Sequence, residues 1–517
     1  MRVCVLQPDY STSQVDYQYY DPPRDLSRLL PGATVDHVFL NKLTTYSQLR
    51  NLRRAGYDIF VNLCEGYLDW SVPSIDVIHT LDLLNLPYTG PSARLYDPPK
   101  ELMKYVAYTE GVGTAPYVVL RCVSDLDEVV AKVGFPLFLK PAKAGDSLGV
   151  DEASLVRDRA ALERKAAALW VEYDEIMAEA YIEGREFTVL VAAGAPPAAA
   201  AYAGGAHAPD GAAHGAVTFK PVEFIFPQGT TFKTYALKTS ELHPEANIPC
   251  ADPTLEAALR DASARIFDAF GGVGYARLDF RVDAAGNLFF LEINFTCSVF
   301  YTEGYEGSAD YILRFDGIGP EGFLRHIIAE GIARHQRKIK KYHVKGSPIS
   351  GYGIYAARAI APGESIFDGE DRAQRIVTRR YVGQHWTPAQ QELFRHYAYP
   401  LSREVFVLWD KDPAAWSPQN HSCNPNTEYR GLNVYARRGI APGEELTLDY
   451  ATMMDDTLEP FTCHCGDPAC RGTVSGTPGN TVTAREAAAH GAAARAAEQA
   501  GAARHTNELN NAGTKRT

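Results

Sequence analysis

The chain has 517 residues, a length that predicts three or four domains rather than one core. Hydrophobic residues make up 46% and charged residues 22%, the balance of a folded, water-soluble protein, which excludes disorder along the whole chain. With 63 acidic against 51 basic residues the net charge is −12, so a global basic footprint for nucleic acid is absent.

The most apolar stretch, around Val189 to Ala206, is broken by Gly194, Pro196, Pro197, Gly204 and Gly205 and predicts no spanning helix. Met1-Arg-Val-Cys-Val-Leu reads as a first strand rather than a signal peptide. Five of nine cysteines are scattered (Cys4, Cys64, Cys122, Cys250, Cys297), whereas Cys423, Cys463, Cys465 and Cys470 lie toward the C-terminal end. This suits a reducing interior with one metal site better than a secreted disulfide framework. The expected location is intracellular, cytoplasmic with the nucleus left open. Neither a membrane nor nucleic acid is an expected partner, and a homodimer is allowed.

In chain order, Val3 to Leu6 and Asp58 to Leu63 predict short strands, and Ser74 to Leu86 a helix, the alternation of an open α/β domain. A helix over Lys100 to Glu110, a strand at Tyr117 to Leu120, a helix over Asp125 to Val133 and a strand at Pro136 to Lys140 follow. Glu175 to Tyr181 and Glu186 to Ala192 predict two strands joined by the turn Glu183-Gly-Arg. Thr254 to Phe270 predicts a helix with Asp252 as N-cap and Gly271-Gly272 at its end. Tyr275 to Val282 and Leu288 to Ile293 predict a hairpin around Asp283-Ala-Ala-Gly-Asn. The basic run Arg334 to Lys345 reads as a solvated helix end and linker. From Ile349 short strands and Gly-Pro turns begin a second unit, and the Ala-rich residues at the end predict a mobile tail.

Two constellations carry chemistry. Lys104 and Lys140 precede the loop Ala144-Gly-Asp-Ser-Leu-Gly149, whose backbone amides could approach phosphate. Period-two alternation puts Arg277 and Asp279 on one face of their strand, and Glu292 and Asn294 on one face of the next. Three hard oxygen ligands beside an arginine suit Mg²⁺ on nucleotide phosphates, and a solvated strand pair with a surface ion pair is the competing reading. In the second unit, Cys463-His-Cys465 and Cys470 offer three thiolates in one loop, and Cys423 in Asn420-His-Ser-Cys-Asn-Pro is the candidate fourth ligand for tetrahedral Zn²⁺.

Residues 1 to about 330 resemble the ATP-grasp superfamily, nearest to D-alanine–D-alanine ligase. The pieces that carry this run in order: Asp97-Pro-Pro-Lys with Lys104, Gly134-Phe-Pro-Leu-Phe-Leu-Lys-Pro, Glu179-Ala-Tyr-Ile-Glu-Gly-Arg-Glu, Tyr235-Ala-Leu-Lys238, and Arg277-Leu-Asp-Phe with Leu-Glu-Ile-Asn294. The resemblance implies that Lys104, Lys140 and Lys238 contact ATP phosphates, with Ser147 in the covering loop. It places Glu179 and Glu186 at the adenine–ribose end and Asp279, Glu292 and Asn294 on two Mg²⁺. Arg277 would stabilise an acyl phosphate and a tetrahedral intermediate. The partners implied are a small-molecule carboxylate and an amine, amino acids among them. The amino-acid pocket departs from the family: Phe295-Thr-Cys-Ser298 replaces a Pro-Gly turn, and Gln7-Pro-Asp-Tyr-Ser-Thr-Ser replaces a Gly-rich substrate loop. Asp9 or Glu65 is a candidate for an ammonium group.

Residues about 345 to 475 resemble a SET domain with a post-SET motif, through Gly351-Tyr-Gly353-Ile-Tyr-Ala, Ala361-Pro-Gly-Glu, Phe367-Asp-Gly-Glu, Asn420-His-Ser-Cys-Asn-Pro-Asn, Arg438-Gly-Ile-Ala-Pro-Gly-Glu, Leu446-Thr-Leu-Asp-Tyr450 and the cysteine loop. That resemblance implies an S-adenosylmethionine-dependent protein lysine methyltransferase acting on a lysine-bearing protein or peptide. Gly351, Tyr352 and Gly353 would meet the methionine end of the cofactor, and Asn420 and His421 its adenine and ribose side. Tyr450 would orient the lysine amine. The segment between Glu370 and Asn420, with Trp386, Tyr397, Tyr399, Trp409 and Trp416, is short where the peptide groove is usually shaped.

The expected architecture is multidomain α/β plus β-rich. It comprises an open α/β pre-grasp domain (1–95), an α+β ATP-grasp domain (96–330), a basic linker (331–346), a SET β-fold (347–460), a zinc-binding post-SET loop (461–475) and an Ala-rich tail (476–517). The functional expectation is a ligase joined to a methyltransferase, with ATP, Mg²⁺, S-adenosylmethionine and Zn²⁺ as cofactors. One alternative leaves the SET domain as sole catalyst and makes the ATP-grasp part a nucleotide-sensing or docking module; another reduces the SET part to a zinc-braced binding domain.

Overall fold

The computed structural model describes residues 1–11, 13, 21–66, 71–143, 148–194, 215–234, 246–369, 375–408, 419–456 and 459–477. The chain divides into two units, Met1–Lys338 and Ile339–Thr517. The loop residues 144–147 with Ser147, Lys238, Trp409, Trp416 and tail residues 478–517 lie outside the described residues.

In the first unit, Arg2–Pro8 is the centre of a three-stranded parallel sheet, flanked by Thr34–Leu40 and Ile59–Asn62. Its apolar run is continuous because both faces are covered. Val3 and Val5 pack in one core with Phe323, Leu324 and Ile327 of helix Gly319–Lys338. Cys4 and Leu6 pack in another with Val77, Ile78 and Leu81 of helix Ile75–Leu83.

Two further sheets follow. One is antiparallel and four-stranded, in the order Tyr117–Leu120, Ile176–Ala180, Leu137–Pro141, Leu155–Val156, and shares its core with helices Asp125–Lys132 and Arg159–Leu169. The other has seven strands, with Arg185–Ala192, Tyr275–Val282 and Leu288–Asn294 adjacent at its middle. Ala276, Leu278 and Phe280 alternate onto the face that packs with helix Pro253–Ala269. Asp252 caps that helix as its spacing predicts, its Oδ1 accepting from the Thr254 and Leu255 amides at 2.9 and 3.2 Å.

The two strands joined at Glu183-Gly-Arg do not pair with each other. Ile176–Ala180 lies in the four-stranded sheet and Arg185–Ala192 in the seven-stranded one. Gly184 makes the crossing: its φ is +151°, and a Cβ there would stand 2.0 Å from the carbonyl oxygen of Val282. The stretch 331–346, expected as a solvated helix end and basic linker, holds the end of helix Gly319–Lys338 and then the strand Tyr342–Gly346. Part of its charge faces inward, since buried Arg334 donates to the carbonyls of Gly90 and Tyr88 at 2.8 and 2.7 Å.

The second unit is β-rich. One sheet runs Tyr342–Gly346, Tyr352–Ala356, Glu445–Leu448, Asn420–His421, the last pair parallel. A second combines Ser365–Phe367, Asn433–Ala436 and Thr427–Arg430. Between them in sequence, helices Arg379–His385 and Pro388–Tyr397 and the strands Arg375–Thr378, Val405–Leu408 and Tyr399–Pro400 close a small core around Phe394 and Phe406. Trp386 packs edge-on against Phe394 in that core, with ring centroids 6.3 Å apart.

Candidate functional site

The hairpin of the first unit sets cross-strand rows. Arg277 stands opposite Asn294 and Asp279 opposite Glu292, while on the other side Asp279 faces Thr188 and Arg281 faces Glu186. All these side chains share one face because residues two apart in a strand point the same way. Asp279 accepts from Thr188 Oγ1 at 2.8 Å and meets Arg277 Nη2 at 3.2 Å. Glu292 meets Lys100 Nζ at 3.5 Å and accepts from Asn294 Nδ2 at 3.3 Å. Asp279, Glu292 and Asn294 thus present oxygen donors on a single surface, a donor set that suits a hard dication.

Above this face opens a cleft, walled by the four-stranded sheet on the far side. Phe138, Tyr181, Ile182 and Leu291 give it apolar flanks, while Lys140, Glu179, Glu186, Asp279, Arg281 and Glu292 supply charge. A flat base between apolar flanks and a polyanion beside lysine fit this lining.

The predicted residues divide within it. Glu179, expected at the ribose end, is buried and held by two lysines, Lys104 Nζ at 2.7 Å and Lys140 Nζ at 2.6 Å. Burial alone would raise its carboxyl, but the two ammonium charges overcome that and bring it to about 2. Lys104 lies outside the cleft lining, 2% exposed, and also donates to the Ala115 carbonyl at 3.1 Å; burial lowers its proton affinity. Lys140 lines the cleft, and there Glu179 and the nearby Glu292 outweigh burial and raise it.

Glu186 also lines the cleft, with Lys233 Nζ at 2.9 Å and Arg281 Nη2 at 3.0 Å. Lys233 and Arg281 were missed in the sequence, and Lys100 was quoted within Asp97-Pro-Pro-Lys without a role of its own. Arg281 was readable by the same alternation that picked out Arg277 and Asp279; Lys233 carried no local signal. Arg24, fully buried, pairs with Asp21 at 2.8 Å, and Ser298 donates to Glu65 at 2.6 Å, so Glu65 is engaged within the protein.

In the second unit, Gly351 turns the chain with φ +49°. Asn420 Nδ2 holds that turn from below, donating to the carbonyls of Ser350 and Tyr352 at 3.1 and 3.3 Å and to Glu445 Oε1 at 2.9 Å. Glu445, unremarked in the sequence, also accepts from Ser347 Oγ at 3.0 Å and the Tyr355 hydroxyl at 2.9 Å. A Cβ on Gly353 would fall 2.2 Å from Glu445 Oε1, so a side chain there would push the Glu445 carboxylate away from Asn420. Tyr352 is exposed, while the carbonyls of Ser350, Gly351 and Tyr352 are each engaged within the protein, by Asn420 and by the Ser347 amide.

His421 is buried and both its ring nitrogens face protein groups. Nδ1 accepts from the Tyr450 amide at 3.0 Å, and Nε2 lies 3.3 Å from Cys423 Sγ. Tyr450 donates its hydroxyl to the Gln419 carbonyl at 2.5 Å.

Cys423, Cys463, Cys465 and Cys470 bring their sulfurs within 4.8 Å of one another. The Cys423–Cys463 separation, 3.8 Å, is close to the edge of a tetrahedron built on Zn–S bonds of about 2.3 Å. Burial works against a thiolate at Cys423, but donors from Arg471 and His421 prevail and lower it to about 7. Cys465 comes down to about 7 as well, burial being outweighed by backbone amides. Cys463 is pushed up to about 12 by burial and by its neighbouring sulfurs. Four crowded sulfurs of this kind call for a dication, which the set fits.

Residues 351–451 match the family model of the SET domain, and residues 108–204 and 212–301 match that of the D-ala D-ala ligase C-terminus. A D-alanine--D-alanine ligase of Acinetobacter baumannii is 31% identical over 218 residues, covering 41% of this chain and 62% of the relative. One from Stutzerimonas stutzeri is 33% identical over 220 residues, covering 41% and 60%. The chain thus spans somewhat under two thirds of the length of these curated relatives. Among solved structures, the D-alanine-D-alanine ligase from Coxiella burnetii aligns with a TM-score of 0.46 at 16% identity, covering 65% of this chain and 97% of that one. No helix among the described residues is long and apolar enough to cross a membrane.

Proposed function

We propose that this chain, which joins a ligase-type ATP-grasp region to a SET domain, is a bifunctional enzyme: an ATP-dependent carboxylate–amine ligase and an S-adenosylmethionine-dependent lysine methyltransferase. The observation that carries the first half is the row Arg277, Asp279, Glu292 and Asn294, of which Asp279 and Glu292 line the cleft together with Lys140. ATP would supply the phosphoryl group that makes a carboxylate susceptible to an amine. Asp279, Glu292 and Asn294 would hold Mg²⁺, Lys140 would meet the phosphates, and Arg277 would offset negative charge developing on the acyl carbon's oxygen. The two substrates are of the amino-acid or short-peptide class.

In the second unit, Gly351 to Gly353 and Asn420 would seat S-adenosylmethionine. Tyr450, its hydroxyl already directed at a backbone carbonyl, would help orient a neutral lysine amine, so that positioning and exclusion of water supply most of the rate. Cys423, Cys463, Cys465 and Cys470 would hold Zn²⁺. The location is proposed to be intracellular.

The test is phosphate release from Mg-ATP across a panel of amino acids, beside an Arg277→Ala control. Release that depends on one amino-acid pair and vanishes in the control supports the ligase. Nucleotide binding with no stimulated release would favour a sensing module instead.

A further inference from the structure

The cysteine cage and Tyr450 are joined by two short hydrogen-bonded routes. The first runs through His421. Its Nδ1 accepts the Tyr450 N–H at 3.0 Å, so in a neutral ring the proton sits on Nε2, which points at Cys423 Sγ 3.3 Å away. The second runs through Arg471. Its amide and Nε each donate to the same sulfur at 3.4 Å, and its Nη2 reaches Asp449 Oδ1, which also accepts from the Ala451 amide at 3.0 Å. Both residues flanking Tyr450 are therefore tied to Cys423, and so is Tyr450 itself. The His421 ring is wedged edge-on between Tyr450 and Phe461, with centroids 5.5 and 5.8 Å away, which leaves it little room to reorient.

We propose that His421 and Arg471 are positioning residues that make the placement of Tyr450 depend on the metal-loaded state of the cage. This rests on the zinc reading above. A metal-bound thiolate keeps its charge and its place, and so anchors the donors from His421 and Arg471. When the metal is lost the sulfurs are no longer held together, and both routes lose the fixed position of their common acceptor. His421 then acts through the tyrosine rather than on the cofactor, since both its ring nitrogens are already engaged.

The full chain would carry 3-fluorotyrosine at position 450 alone, and the zinc-loaded protein would be titrated with a chelator. Zinc content and the fluorine resonance would be followed together. The resonance should shift or broaden in step with zinc loss. His421→Asn should lower zinc affinity roughly 10- to 100-fold and perturb the resonance even when fully metal-loaded, whereas His464→Asn, an exposed histidine in the same loop, should do neither. Histidine ¹⁵N shifts should report the Nε2–H tautomer for His421. An unmoved resonance on zinc loss, or an Nδ1–H tautomer, overturns the coupling while leaving the zinc site standing. No zinc in the wild-type chain overturns the zinc reading itself. Should His421→Asn fail to fold, the wild-type titration still decides.

Discussion

Glu179→Gln tests whether the buried Lys104–Glu179–Lys140 triad is a source of stability or only of charge. The wild-type carboxyl, brought from an ordinary 4.5 to about 2, contributes about 3 kcal/mol at roughly 1.4 kcal/mol per tenfold in proton affinity. The amide keeps the shape but leaves two ammonium groups, 2.7 and 2.6 Å away in the wild type, without their common anion. Breaking a buried pair in this way costs about 3–5 kcal/mol, in agreement with the first figure. The carboxyl is depressed in the folded state, so its stabilisation is complete above pH 4.5 and is lost as the pH falls toward about 2.

Hydrogen exchange read by mass spectrometry resolves the strands Leu137–Pro141 and Ile176–Ala180, which carry Lys140 and Glu179. At pH 7 Glu179→Gln should speed exchange there by about a hundredfold, once intrinsic rates are corrected. Between pH 5 and 3 the wild type should lose protection while the variant stays flat. A change below about fivefold at pH 7, or parallel pH profiles, would refute the reasoning.

Three other outcomes are expected. Arg277→Ala should cut amino-acid-stimulated phosphate release by about 10²–10³-fold with methyl transfer unchanged, and Tyr450→Phe should do the reverse; paired assays on the same preparations check this. Gly353→Ala, which would drive a Cβ to within 2.2 Å of Glu445 Oε1, should weaken S-adenosylmethionine binding at least about tenfold by calorimetry. Gly346→Ala, with nothing within 4 Å of its added Cβ, should bind normally. Zinc content should be about one per chain and fall in Cys465→Ser, and chelation should speed exchange at Phe461–Thr462 and Thr473–Val474 while sparing Tyr352–Ala356.

The sequence by itself determined those features whose cause is local. Alternation along Tyr275–Val282 and Leu288–Asn294 records which face meets the helix and which the cleft, so Arg277, Asp279, Glu292 and Asn294 could be placed together before any coordinates. Asp252 announces its helix because a cap and the amides it satisfies are neighbours in sequence. Three of the four cage cysteines are legible for the same reason.

Tertiary structure decided the rest. Glu179 is claimed by Lys104 and Lys140, and Glu186 by Lys233 and Arg281, through ion pairs between segments far apart in the chain; no spacing rule encodes such partners. The separation of Ile176–Ala180 from Arg185–Ala192 into different sheets turns on how closely Gly184 passes Val282, a distance that exists only after the hairpin has formed. His421 shows the same limit: only the fold turns its two ring nitrogens to Tyr450 and Cys423. A side chain's residue type fixes what it can bond; only the packed chain fixes what stands within 3 Å of it.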